Sequence, residues 1–85
     1  MSKIEVEKLF KQLSNLEDKE AFLYILDKKE MIDELEIVIK IDNDDVSLCW
    51  YSEDEEDDLT FTFKTFNYRL LDNIFNALGF NSDLV

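Results

Sequence analysis

Ser52 to Asp58 reads Ser-Glu-Asp-Glu-Glu-Asp-Asp, so six consecutive carboxylates, Glu53, Asp54, Glu55, Glu56, Asp57 and Asp58, stand between two strand-like segments. Asp42, Asp44 and Asp45 form a looser group ahead of them, and between Lys40 and Lys64 nine acids occur without a base. Carboxylates at this density can hold a hard cation, pair as catalytic acid and base, or present negative charge to a basic partner. A carboxyl group that donates a proton near neutrality needs its pKa raised by apolar burial. Six adjacent acids cannot be buried, because each unpaired charge costs several kcal/mol. The block is therefore a solvated loop. As a calcium loop, Asp42, Asp44 and Glu53 fall at positions 1, 3 and 12 of an EF-hand-like window, but Val46 occupies the fifth position and Ser47 the sixth, where glycine is required. Half of that window is also strand-like. Presentation of charge is the chemistry that remains.

Other chemistries lack their parts. The chain has no His, which removes the commonest general base and the commonest transition-metal ligand. Cys49 is the one cysteine and has no imidazole to activate its thiol. A single glycine rules out a glycine-rich phosphate loop. These residues predict a non-enzymatic protein without cofactor or metal.

The 85 residues carry a net charge of −12, which repels nucleic acid and anionic membrane and attracts basic protein surfaces. Residues 1 to 31 hold six Lys against seven acids, a net of −1, and residues 32 to 85 hold three bases against fourteen acids, a net of −11. With 46% hydrophobic residues, no Pro and one Gly, the sequence predicts one folded domain over residues 1 to 85 and no linker. The lone cysteine, the missing signal-peptide pattern and the lack of an apolar run near about twenty residues predict a cytoplasmic protein.

The periodicity supplies the elements that must position the charge. Ser2 and Glu5 make a capping-box pattern ahead of Val6, Leu9, Phe10 and Leu13, which predicts a helix over about 3 to 14. Ala21, Phe22, Ile25 and Leu26 give a second stripe and a second helix over about 18 to 30, with a strand at Phe22 to Leu26 as the competing reading. From Glu34 the period becomes two. Leu35, Ile37, Ile39 and Ile41 predict a first strand, Val46, Leu48 and Trp50 a second, and Leu59, Phe61 and Phe63 a third. Asn67 then caps a helix through Leu70, Leu71, Ile74, Phe75 and Leu78, and Gly79 with Phe80 predicts a Schellman ending. The expected fold is a two-layer α+β domain: one or two N-terminal helices, a three-stranded antiparallel meander and a C-terminal helix. Trp50 is expected on the helix-packed face with Leu48, Phe61 and Phe63.

This element order is also that of double-stranded RNA-binding domains, which grip phosphates with Lys and Arg. Here only Lys40, Lys64 and Arg69 follow residue 29, so direct nucleic-acid binding is excluded. In size, charge and element order the chain resembles the small acidic proteins by which bacteriophages block host defences, anti-CRISPR proteins and other DNA mimics among them. The resemblance spans the whole chain and carries no motif residue. It implies an inhibitor of a basic, nucleic-acid-binding nuclease or effector complex, with carboxylates where DNA phosphates would lie. On this chain the partner-binding residues are then Asp42, Asp44, Asp45 and Glu53 to Asp58, with Tyr51 beside them. In a meander the two acidic loops lie at opposite ends of the sheet, about 20 Å apart, so a continuous stripe needs Glu34, Glu36 or helix acids as a bridge. The rival reading is a protein-interaction module, such as a toxin-neutralising immunity protein. It would dock through the outer sheet face of Val38, Cys49, Tyr51, Thr60 and Thr62, extended by Phe66.

Overall fold

The computed structural model describes residues 2–84, with Glu55 described through its backbone alone. Helix α1, Ser2–Ser14, buries Val6, Leu9 and Leu13, the stripe its spacing dictates. Helix α2, Asp18–Asp27, buries Ala21 and Ile25. The strand alternative at Phe22 to Leu26 is therefore not realised. Lys28 breaks the expected single helix, its N–H bonding both the Tyr24 and Ile25 carbonyls, and α3 follows as Lys29–Glu34 with Ile32 buried.

The first strand begins later than its alternation suggests. Leu35 and Glu36 close α3: the Glu36 N–H bonds the Asp33 carbonyl at 3.1 Å and the Ile37 N–H bonds the Ile32 carbonyl at 3.1 Å. That is the double hydrogen bond of a Schellman motif, with Glu36 at φ 57 in the place usually held by glycine. Ile32, Leu35 and Ile37 are all buried by this corner. Leu35 satisfies helical spacing from Ile32 as well as alternation with Ile37, and burial decides for the helix.

Strand β1, Val38–Asp42, pairs antiparallel with β2, Asp45–Trp50, through a two-residue turn with Asn43 at φ 53, a conformation that asparagine tolerates. Strand β3, Leu59–Lys64, pairs antiparallel with β2. The expected antiparallel neighbours are present, but they are not the whole sheet. It is completed by a strand absent from the sequence reading, β4 at Ser82–Leu84, which lies parallel to β1 and makes a mixed four-stranded sheet of order β3-β2-β1-β4. Helix α4, Tyr68–Ala77, is the crossover between β3 and β4. Asn67 caps it by accepting the Leu70 N–H at 3.2 Å. At its end the Gly79 N–H bonds the Asn76 carbonyl and the Phe80 N–H bonds the Phe75 carbonyl, with Gly79 at φ 80 and the Phe75 and Phe80 rings 5.0 Å apart. This is the expected Schellman ending with its hydrophobic contact.

The register aligns Ile39, Leu48 and Phe61 across the strands, and likewise Ile41, Val46 and Phe63. These side chains meet Leu71, Phe75 and the α1 stripe in one core cluster. Trp50 keeps the inward phase and packs against that cluster, but at the end of its strand it is only half-buried. Buried residues of α1, α2, α3 and α4 join the inward strand residues in this one cluster, and on the opposite face Thr60 and Thr62 are exposed while Cys49 is buried. No helix among the described residues is long and apolar enough to cross a membrane.

Candidate functional site

The loop between β2 and β3 is a built structure. Asp58 Oδ1 accepts the Ser52 N–H at 2.7 Å, which closes the loop at its base. Ser52 Oγ donates to the Asp54 carbonyl and accepts the Asp54 N–H at 3.1 Å. Asp54 Oδ1 accepts the Glu56 N–H at 3.1 Å, capping a 3-10 turn over Glu55–Asp57, and the Asp57 N–H bonds the Asp54 carbonyl at 2.9 Å. Acidic residues do this well because a short carboxylate can satisfy the backbone amides of its own turn. Asp57 is tied to Lys3 of α1, with Nζ 2.6 Å from Oδ1. This contact, through hydrogen bonding first and charge second, raises the Lys3 ammonium above its ordinary value.

The six acids thus divide by role. Asp54, Asp57 and Asp58 hold the loop, whereas Glu53 and Glu56 are exposed and form no ion pair among the described residues. The Glu55 side chain lies outside the described residues. Two acids that the sequence reading placed on the first strand join this end instead. The α3–β1 corner sets Glu34 and Glu36 across a groove from Glu53, with Trp50, Tyr51 and Lys3 also lining it. Glu34 and Glu36 are exposed and likewise unpaired among the described residues. They enlarge one acidic pole and do not bridge towards Asp42. The helical spacing of Ile32 and Leu35 was the sequence signal for their position.

Asp42, Asp44 and Asp45 lie at the other end of the sheet, a strand length of about 20 Å away. Their charge is matched only in part: Lys64, in register with Asp45, places Nζ 2.6 Å from Asp45 Oδ1 and 3.7 Å from Asp44 Oδ1, and Asp42 forms no ion pair among the described residues. These acids raise the Lys64 ammonium, Asp45 by hydrogen bonding and Asp44 chiefly by charge. Among the sequence-derived candidates, the fold therefore gathers Glu53 to Asp58 into one pole and leaves Asp42, Asp44 and Asp45 in a separate corner whose charge Lys64 offsets in part.

Tyr51 is 53% exposed at the rim between the pole and the outer sheet face, with Lys40 Nζ 5.5 Å from its ring centroid. Val38, Cys49 and Thr60 align across the outer face, as do Lys40, Ser47 and Thr62. Ser47 Oγ and Thr62 Oγ1 share a hydrogen bond of 2.8 Å. Cys49 is a free thiol screened by its neighbours to 6% exposure. Phe66 does not extend this strip. It lies on the helical side, edge-on to Phe22 with ring centroids 6.3 Å apart.

No group of three or more metal-ligating side chains occurs among the described residues. No family model, curated protein or solved structure matches the chain. The chemistry of the site rests on its own residues, which offer a preorganised negative pole beside an open sheet face.

Proposed function

We propose that this protein is a non-enzymatic inhibitor that sets its acidic pole into the basic, nucleic-acid-binding groove of a partner protein, its carboxylates taking the place of phosphates. An anti-CRISPR or anti-restriction role is the setting this chemistry fits. The observation that carries the reading is the gathering of exposed glutamates that form no ion pair among the described residues: Glu34, Glu36 and Glu53 line one groove, and Glu56 lies on the adjoining loop. Glu36 sits at φ 57, where a side chain costs about 1 kcal/mol or more relative to glycine. Mutual repulsion and backbone strain are both tolerated to keep charge at this place, which solubility alone does not require. The hydrogen-bonded loop is already ordered, and that lowers the entropy lost on docking.

The test uses the immobilised protein to capture partners from cell lysate, with double-stranded DNA as competitor. The expected result is a basic nucleic-acid-binding protein that DNA displaces and that moderate salt releases. Replacing Glu34, Glu36, Glu53 and Glu56 together by Gln leaves Asp54, Asp57 and Asp58 to hold the loop, and should weaken capture by about tenfold or more. If the fourfold variant binds as well as the parent at low and high salt, phosphate mimicry is wrong.

A second reading, a protein-interaction module docking through the outer sheet face, is favoured by the exposure of Tyr51, Thr60 and Thr62 on that face. Tyr51→Ala would then abolish a capture that salt leaves unchanged.

A further inference from the structure

Strand β3 is an edge of the sheet, and its free side is unpaired. The Thr65 N–H bonds the Asp44 carbonyl at 2.7 Å, and this sets the phase of the β2–β3 ladder. Leu59, Phe61 and Phe63 turn their backbone polar groups towards β2, while Thr60, Thr62 and Lys64 turn theirs outward. All three outward residues are exposed, and no backbone partner outside the ladder meets them among the described residues. Helix α1 packs against β3, sending Val6, Leu9 and Leu13 into the core and setting Phe10 against Phe61, while its Lys3 holds Asp57 ahead of the strand; it makes no backbone hydrogen bond to this edge among the described residues. An exposed strand of alternating Thr and Phe without proline or bulge is a template for another strand.

We infer that this edge pairs with the same edge of a second copy, antiparallel about a two-fold axis at Phe61, joining two four-stranded sheets into one. Outward residues must face outward residues, so the permitted registers differ in steps of two. With the axis at Phe61, Thr60 of one copy opposes Thr62 of the other, Leu59 opposes Phe63, and Asp58 opposes Lys64, each pair occurring twice. Every cross-strand pair is then of matching chemistry, and the terminal pair has opposite charge. An axis at Thr62 sets Lys64 against Thr60 and leaves Asp58 opposite Phe66. An axis at Thr60 sets Asp58 against Thr62 and carries the pairing into the 3-10 turn. The half-exposed Phe10 and Phe61 lie on this side, so pairing also covers apolar surface.

The occupant is a second copy because the edge complements itself: threonine faces threonine, and Asp58, the residue before β3, faces Lys64, whose ammonium would then be shared with Asp45 and Asp44 of its own chain. Two chains of −12 repel each other, so association needs ionic screening. The inference stands on the edge geometry and does not rest on the proposed function. It has a consequence for charge: antiparallel pairing brings the Glu53–Asp58 loop of one copy beside the Asp42–Asp45 turn of the other. The two acidic clusters that one chain holds at opposite ends become neighbours.

Sedimentation velocity from micromolar to millimolar protein, at about 0.15 M ionic strength where the Debye length is about 8 Å, should show a monomer–dimer equilibrium. Thr62→Pro removes an outward N–H and no ladder bond, so circular dichroism should be retained while the dimer is lost. Lys64→Glu sets an acid against Asp58 and should weaken the dimer by about tenfold. Register is read by disulfide formation in a Cys49→Ala background. Thr60→Cys mixed with Thr62→Cys should cross-link, and neither variant should do so alone. A chain that stays monomeric at millimolar concentration overturns the inference. So does a dimer that survives Thr62→Pro in a folded variant, or one that cross-links as well in the separate variants as in the mixture. A monomer whose capture of a basic partner is lost in Thr62→Pro would overturn it too, and would give the edge to a strand of that partner.

Discussion

Lys3 Nζ stands 2.6 Å from Asp57 Oδ1, fastening the first turn of α1 to the acidic loop across a separation of 54 residues. Asp57 holds the Lys3 ammonium above its ordinary value of 10.5, by hydrogen bonding first and charge second. A lysine raised on folding contributes stability that is complete below the unfolded value and is lost as pH rises through the folded one. The melting temperature of Lys3→Met should therefore lie below that of the parent at neutral pH, and the gap should close as pH passes the lysine range. A gap independent of pH would mean that the Lys3 methylenes, and not its charge, secure the loop.

Replacement of loop acids should separate those that build from those that display. Asp58→Ala removes the acceptor of the Ser52 N–H and should cost about 1 to 3 kcal/mol. Glu53→Gln and Glu56→Gln touch no such bond and should stay within about 0.5 kcal/mol of the parent in urea unfolding. Equal losses in the two classes would contradict the loop geometry.

Two left-handed helix ends carry opposite residues, and substitution should move stability in opposite directions. Gly79, at φ 80 with no atom within 4 Å of the Cβ position, has room for a methyl group but the wrong backbone for it, so Gly79→Ala should destabilise by about 1 kcal/mol. Glu36→Gly relieves the same conformation at φ 57 and should stabilise by up to about 1 kcal/mol, offset in part by the added freedom of the unfolded chain. Urea midpoints that move the same way would show that backbone strain does not govern the α3–β1 corner. A stabilised Glu36→Gly that also captures partner less well would separate the use of this carboxylate from its structural cost.

Phe75 has no solvent exposure and makes edge-on contacts with Phe22 at 5.8 Å and Phe80 at 5.0 Å between centroids. Phe75→Ala should cost about 3 to 5 kcal/mol, a large share of the stability of so small a domain. Trp50→Ala, at the half-buried end of β2, should cost clearly less. Calorimetric melting of the two variants checks the order, and a Trp50 loss equal to that of Phe75 would place the tryptophan deeper in the core than its exposure indicates.

The sequence by itself determined what local chemistry decides. The alternation of Ile39 and Ile41, of Val46 and Leu48, and of Phe61 and Phe63 set the inward phase of three strands, because side chains of a pleated strand must alternate between apolar and wet faces. Asn67 and Gly79 marked both ends of α4 for equally local reasons, an amide to cap and a left-handed residue to supply. The six acids were bound to form a solvated loop wherever the chain placed them. Only the tertiary structure decided the rest. Ser82–Leu84 has no strand composition and becomes β4 because α4 returns the chain alongside β1, where the Ile39 N–H meets the Asn81 carbonyl at 2.9 Å. The alternation at Leu35 gave way to a helix corner because Ile32, Leu35 and Ile37 are buried together, and that corner carried Glu34 and Glu36 to the acidic pole. Which acids stay unpaired was likewise beyond local reading, since Asp57 is neutralised by a lysine distant in sequence and Asp45 by its cross-strand neighbour. Charge density is a property of composition, whereas its display depends on which cations and amides the fold brings within hydrogen-bonding distance.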